Sequence, residues 1–317
     1  MVEGEIMISG SDITAAAQRL GGRVRHTPVL KVDGDTFGLS RPLTLKLEYL
    51  QHTGSFKPRG AFNRMLRASV PKSGVIAASG GNHGAAVAYA AKSLGVRAEI
   101  FVPAKTPAAK LARIASYGAR IVQVGAAYAD AFAASQERQA ETGAMVVHAY
   151  DQPEVVAGQG IVGKELEADA ADLTHVMVAV GGGGLIGGVA AWYGGRVEVV
   201  GVEPVGCPTL HSALKAGGPV PVEVGGIAAD SLGARQVGLL VYDIATHLDM
   251  QSVLVDDASI RIAQRWLWEH LRIVVEPGGA VALAALQSRT FVPPEDARVG
   301  VVLCGANVEL ANTGIVT

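Results

Sequence analysis

The longest uncharged stretch of the chain, residues 176–195, is long enough to cross a bilayer, yet it contains Gly181-Gly182-Gly183-Gly184 and then Gly187 and Gly188. Successive glycines do not sustain a helix, because each loses more backbone freedom on ordering than any other residue. The stretch therefore divides into an apolar strand ending at Val180, a bare loop, and a helix opening through Leu185 and Ile186. That is a strand-to-helix turn of an α/β protein, and it reads against a membrane span.

The same rhythm recurs along the chain. Short apolar, β-branched runs predict strands at 43–47, 75–78, 98–102, 120–124 and 145–149, with helices at 82–94, 107–117 and 128–141. Ser11 or Asp12 is the expected cap of a first amphipathic helix, and Thr106 before Pro107 a cap of a later one. A second series follows Asp151-Gln152-Pro153, with strands at 176–180, 197–202 and 299–303 and helices at 260–271 and 279–286. The pattern predicts two doubly wound α/β domains. A small one, 74–148, is inserted into a larger one made of 1–73 and 149–317, with the active site in the cleft between them.

Composition removes several classes of function. The 317 residues suffice for a substantial core, and a net charge of -2 from 27 basic and 29 acidic residues leaves no basic block to track nucleic acid. Two cysteines, Cys207 and Cys304, are too few for a disulfide framework, and no charged segment followed by a long apolar run opens the chain. The expected setting is a reducing cytoplasm.

Three motifs carry chemistry. Gly181 to Gly184, at a helix start, offers bare amides and a favourable dipole to a phosphate. The run also reads G-x-G-x-x-G at Gly182, Gly184 and Gly187 with Glu203 about twenty residues on, the fingerprint of a nicotinamide-dinucleotide oxidoreductase. Its position argues otherwise, since that fingerprint usually occupies the first βα turn. The second motif is Ser55-Phe56-Lys57-Pro58-Arg59-Gly60, whose lysine amine can condense with the aldehyde of pyridoxal phosphate. The third is Ser79-Gly80-Gly81-Asn82-His83-Gly84, a strand-to-helix turn whose small residues let backbone approach a carboxylate, and whose Asn82 amide can meet a ring oxygen; an ordinary helix cap is the plainer reading. His83 reads as structural. Cys304 can touch a pyridine nitrogen or serve as a small buried hydrophobe, and Glu276 is either a helix cap or an active-site acid.

In this order, together with Glu276-Pro277-Gly278-Gly279-Ala280 and Cys304-Gly305-Ala306-Asn307, the motifs resemble the serine/threonine dehydratase (ammonia-lyase) group of fold type II pyridoxal-phosphate enzymes, which includes serine racemase and shares the tryptophan synthase β-like fold. The resemblance spans nearly the full chain. It implies that Lys57 binds the cofactor covalently, Phe56 packs on its ring, Asn82 meets its phenolic oxygen, Gly181, Gly182, Gly183 and Gly184 hold its phosphate, and Cys304 contacts its ring nitrogen. Ser79, Gly80, Gly81, Asn82 and His83 would hold the carboxylate of a small amino-acid substrate. A neutral thiol at the ring nitrogen suits rapid loss of a β-hydroxyl better than a long-lived carbanion. The implied reaction is β-elimination from L-threonine or L-serine to a 2-oxo acid and ammonia, in a homodimer.

Departures from the family pattern refine these expectations. Gly80 stands where racemases carry a serine acid, so racemisation is not expected. Glu203 matches the first ligand of the family's divalent cation site, but Cys207 and Thr209 follow, which weakens a site for a hard cation and leaves divalent or monovalent activation open. Asp230-Ser231 replaces the family's Asp-Gly and bears on substrate choice, so a hydroxyaspartate or a β-aryl serine stays open beside threonine and serine. Feedback control through a C-terminal regulatory domain is not expected.

Overall fold

A computed structural model describes residues 8–37 and 39–309; the extreme ends of the larger predicted unit, 1–7 and 310–317, lie outside them. Ten strands are present among the described residues: β1 (Val29–Val32), β2 (Leu43–Lys46), β3 (Val75–Ala78), β4 (Ala98–Val102), β5 (Arg120–Gln123), β6 (Met145–Val146), β7 (His175–Ala179), β8 (Glu198–Pro204), β9 (Ser252–Val255) and β10 (Val299–Val302). They form a six-stranded sheet in the order β1-β2-β10-β7-β8-β9 and a four-stranded sheet in the order β5-β4-β3-β6. All neighbours are parallel except β1 and β2. Central strands such as β7 are buried at every residue, as continuous apolar runs covered on both faces require.

Two helices pack so closely beside the larger sheet that glycine is required at the contact. A Cβ on Gly188, in helix Gly184–Tyr193, would collide with the Val156 carbonyl and come 2.5 Å from the Gly160 nitrogen of helix Pro153–Asp169. The apolar helix Gly184–Tyr193 is buried almost throughout, and among the described residues no helix is long and apolar enough to cross a membrane.

Two expected caps are replaced. Helix Gly10–Leu20 starts from Ser9, because Asp12 reaches back to the Ser9 amide at 2.9 Å and completes a capping box. Thr106 donates its hydroxyl to the Pro103 carbonyl at 2.8 Å instead of capping, and helix Ala108–Ser116 begins after Pro107.

Helix Pro58–Arg67 is anchored by charge. The fully buried Arg59 guanidinium donates to Glu48 Oε2 at 2.9 Å and Oε1 at 2.7 Å, and to Glu165 Oε1 at 2.7 Å and Oε2 at 2.8 Å. Lys46, also buried, lies 3.0 Å from Glu165 and donates to the Thr27 carbonyl at 2.6 Å. Burial works to raise the Glu165 carboxyl, but Arg59 and Lys46 beside it hold it below the usual carboxylate range. Removing one partner leaves buried charge unpaired, so Arg59→Met is expected to cost about 3–5 kcal/mol. Urea unfolding checks this, and an unchanged midpoint would contradict it.

Candidate active site

The loops at the carboxyl ends of β3, β7 and β10 converge with the segment carrying Lys57, where open parallel sheets place their ligands. Ser55 forms an isolated antiparallel bridge with Gly305, and the Phe56 amide donates to the Cys304 carbonyl at 3.2 Å. The lysine segment is thereby joined to the end of β10. Lys57 itself precedes Pro58, the first residue of its helix.

The Lys57 amine donates to the Ala149 carbonyl at 2.8 Å and stands 5.0 Å from the centre of the Phe56 ring. Loss of hydration lowers its pKa to about 8, against the opposing pull of Cys304 and Glu276. The Cys304 thiol donates to the Gly278 carbonyl at 3.4 Å, and burial pushes it far above the ordinary thiol range, so it is neutral. Beside them the Ser55 hydroxyl is fully buried with no hydrogen-bond partner among the described residues.

The four glycines form a bare-backbone cradle in which side chains have no room. A Cβ on Gly182 would collide with the Tyr150 ring, one on Gly184 would lie 3.0 Å from Tyr150 Cα, and Gly183 adopts a φ of +90° that only glycine takes readily. The loop is pinned from outside by the Thr209 hydroxyl, which donates to the Gly181 carbonyl at 2.5 Å, and by the Gly238 amide, which donates to the Gly182 carbonyl at 3.1 Å. With its amides at the start of a ten-residue helix, the cradle fits a phosphate.

Across the cleft, the Ser79 to Gly84 turn opens helix Asn82–Leu94 without a side-chain cap, which removes the plainer reading. A Cβ on Gly84 would collide with the Ser79 carbonyl, and one on Gly80 would come 2.9 Å from Thr106 Cγ2. Ser79 Oγ accepts from the Gly81 amide at 3.2 Å, which closes the turn locally. His83 meets the Val147 carbonyl at 2.8 Å, and burial together with the Lys57 charge lowers it to about 3, so it stays neutral.

Asn82 donates to Glu276 Oε1 at 2.7 Å and accepts from Asn307 Nδ2 at 2.5 Å. Glu276 makes no side-chain cap; it faces the cleft, and burial, aided by Asp230, raises it to about 7 despite the bonds from Asn82 and Asn307 and the charge of Arg113. The Asn82 side chain is thus oriented by protein partners. Glu203, in contrast, is buried away from the cleft. Its oxygens accept from the amides of Leu210 and His211 at 2.8 Å each and from the Ser252 hydroxyl, and Oε1 lies 3.1 Å from the Thr209 hydroxyl oxygen. Those donors hold the carboxylate within the protein, and no group of three metal-binding side chains occurs among the described residues.

Asn307, Lys110 and Arg113 line the cleft and Tyr150 packs on the glycine loop, and sequence reasoning assigned none of them. Asn307 ends the Cys-Gly-x-Asn run, and Lys110 and Arg113 share one face of a helix by their spacing; Tyr150 carries no local signal.

A half-buried, weakly basic lysine whose amine meets the carbonyl just before Tyr150, the residue packed on the glycine loop, suits an α/β enzyme built around an aldehyde cofactor. Residues 21–305 match the family described as pyridoxal-phosphate dependent enzyme, and the chain belongs to it. It is 37% identical over 310 residues to an L-threonine ammonia-lyase of Geobacter sulfurreducens, covering 96% of this chain and 77% of that one. It is 32% identical to the catabolic L-threonine dehydratase of Escherichia coli (strain K12), over 99% and 97% of the two chains. Among solved structures, maize serine racemase superposes with a TM-score of 0.90 at 31% identity, over 96% of this chain and 95% of that one. The processed form of threonine deaminase isoform 2 from Solanum lycopersicum gives 0.88 at 28%, over 100% and 97%. The dinucleotide reading of the glycines is overturned by the family.

Covalent capture of the cofactor requires a neutral amine. Its rate on cofactor-free protein should therefore climb about tenfold per pH unit and level off near pH 8, where an ordinary lysine would keep climbing to about pH 10. Colour formation between pH 6 and 10 measures this, and a rate still rising at pH 10 would contradict it.

Proposed function

We propose that this protein is a pyridoxal-phosphate-dependent ammonia-lyase that eliminates the β-hydroxyl of L-threonine and L-serine, yielding 2-oxobutanoate or pyruvate and ammonia. The observation that carries the reading is the Lys57 amine, half-buried and weakly basic, placed with a neutral Cys304 thiol. Relatives at 32–37% identity that act on threonine support the substrate class.

Bound pyridoxal phosphate supplies the electron sink that makes the substrate α-proton acidic. Lys57 would anchor the cofactor, and its free amine, with a pKa of about 8, suits a general base for the α-proton in neutral solution. Gly181 to Gly184 would hold the phosphate, with Phe56, Asn82 and Cys304 as the residues that would receive the ring, its phenolic oxygen and its nitrogen. The Ser79 to His83 turn holds the substrate carboxylate, while Glu276 and Asn307 position Asn82. The β-hydroxyl leaves as water by taking up the proton removed from the α-carbon, and hydrolysis of the released enamine gives the 2-oxo acid and ammonia. Gly80 has no acid to return a proton on the opposite face, which favours elimination over inversion.

Residues 74–148 form the smaller unit in this reading. The enzyme works as a homodimer in the cytoplasm, a reducing setting that suits two free cysteines; sedimentation at monomer mass would contradict the dimer.

Purified holoprotein is expected to release ammonia and 2-oxobutanoate from L-threonine in equal amounts, with no appreciable D-serine from L-serine. Lys57→Ala should lose turnover and covalently held cofactor together. D-serine formed as fast as pyruvate would overturn the elimination reading, and uptake of a nicotinamide dinucleotide by a colourless wild-type protein would overturn the whole assignment.

A further inference from the structure

The peptide joining Gly181 to Gly182 lies between two residues without side chains, and glycine takes positive and negative φ about equally well, so nothing within the loop decides which way that peptide faces. Its direction is set from outside. The Thr209 hydroxyl donates to the Gly181 carbonyl at 2.5 Å, and the Gly238 amide donates to the Gly182 carbonyl at 3.1 Å. Because a trans peptide is planar, its C=O and the N–H of the following residue point opposite ways. With both carbonyls drawn outward, the amides of Gly182 and Gly183 turn to the other side, and neither donates to an acceptor among the described residues.

Thr209 is itself held on its far side. It is fully buried at the first residue of helix Thr209–Ala216. Glu203 Oε1 lies 3.1 Å from its hydroxyl oxygen, and the same carboxylate accepts from the amides of Leu210 and His211, the next two residues, at 2.8 Å each, and from the Ser252 hydroxyl on β9. A hydroxyl has one proton to donate, and the shorter contact assigns it to the Gly181 carbonyl. Glu203 stands on β8 beside the end of β7, where the Val180 amide donates to the Val202 carbonyl at 3.0 Å. The hydroxyl that directs the loop is thereby fixed by two strands and a helix start, none of which the elimination chemistry uses.

We propose that Thr209 is a positioning residue: by holding the Gly181 carbonyl outward it aims the Gly182 amide at the cofactor phosphate, so that phosphate affinity is set in part by a side chain outside the cradle. This rests on the reading of Gly181 to Gly184 as the phosphate site. A donor already in place when the anion arrives needs no reordering on binding, and its bond to phosphate is charge-assisted. Without the hydroxyl the Gly181–Gly182 peptide is free to flip, and a flipped peptide presents an oxygen to the phosphate in place of an N–H.

The test titrates the full chain as wild type, Thr209→Val and Thr209→Ser with pyridoxal phosphate and with pyridoxal, which offers Lys57 the same aldehyde and lacks the phosphate. Visible absorption follows capture. Thr209→Val should bind pyridoxal phosphate about tenfold more weakly and pyridoxal as the wild type does, the scale of one hydrogen bond. Thr209→Ser, which keeps the hydroxyl, should restore the wild-type ratio of the two affinities. Phosphorus NMR of the holoproteins should show the bound phosphate resonance displaced in Thr209→Val and returned in Thr209→Ser. In the wild type, which needs no variant to fold, inorganic phosphate added to the pyridoxal-loaded protein should slow hydrogen exchange at the amides of Gly182 and Gly183. Equal weakening of both ligands in Thr209→Val would mean that Thr209 serves the fold alone, and would overturn the proposal. So would an unchanged affinity for pyridoxal phosphate, a serine variant no better than the valine one, or exchange at the two amides indifferent to saturating phosphate; in those cases the phosphate reading of the glycines stands. A wild type that binds pyridoxal as tightly as pyridoxal phosphate would sink both.

Discussion

A guanidinium sealed from water two residues after Lys57 sets the geometry of this molecule. Arg59 is bound on both sides, by Glu48 from the turn after β2 and by Glu165 from helix Pro153–Asp169. None of the three segments can shift without stranding a charge in the core, where desolvation outweighs what a weakened pair returns. Lys57 lies just before the helix that Arg59 anchors, and the Ala149 carbonyl that receives its amine lies just before the helix carrying Glu165. The network therefore fixes donor and acceptor at once. Such a pair is a poor source of net stability compared with apolar packing, and its value here is register.

From that anchor the site divides into two electrostatic zones. Around the lysine, burial makes charged forms costly: the Cys304 thiol is neutral, His83 is held to about 3, Lys57 to about 8, and Glu276 is raised to about 7. Farther out, Lys110, Arg113 and Asp230 line the mouth. Chemistry that moves a proton between an amine and a carbon profits from an interior where groups titrate close to neutral pH, whereas recognition of an ionic substrate profits from fixed charge at the entrance.

How much of this was legible in the sequence depended on how local each cause was. Strands β3 and β4 and helix Asn82–Leu94 fall at the residues that periodicity predicted, because strand period, turn glycines and helix stop lie within a few residues of one another. Helix Pro58–Arg67 was not among the expected elements. Its buried face includes Arg59 and Asn63, polar residues whose partners come from distant segments. Helix Pro153–Asp169 is covered on several sides and meets its neighbour through Gly160, so it has no polar face to set a period. Lys57, the four glycines and the Ser79 turn could be placed at helix starts from the sequence because each is a local motif. The role of Glu276 was not, since its partners Asn82 and Asn307 lie 194 and 31 residues away. Arg113 offered only its spacing from Lys110, and the fold alone brings it to the cleft.

The central claim is that Lys57, and no other lysine, carries the cofactor. Borohydride reduction of the purified holoprotein, followed by proteolysis and mass spectrometry, locates the bond directly. The account predicts one phosphopyridoxyl group per chain, on the peptide containing Ser55, Phe56 and Lys57. The same mass on a different lysine, spread over several, or absent from a yellow protein would contradict it.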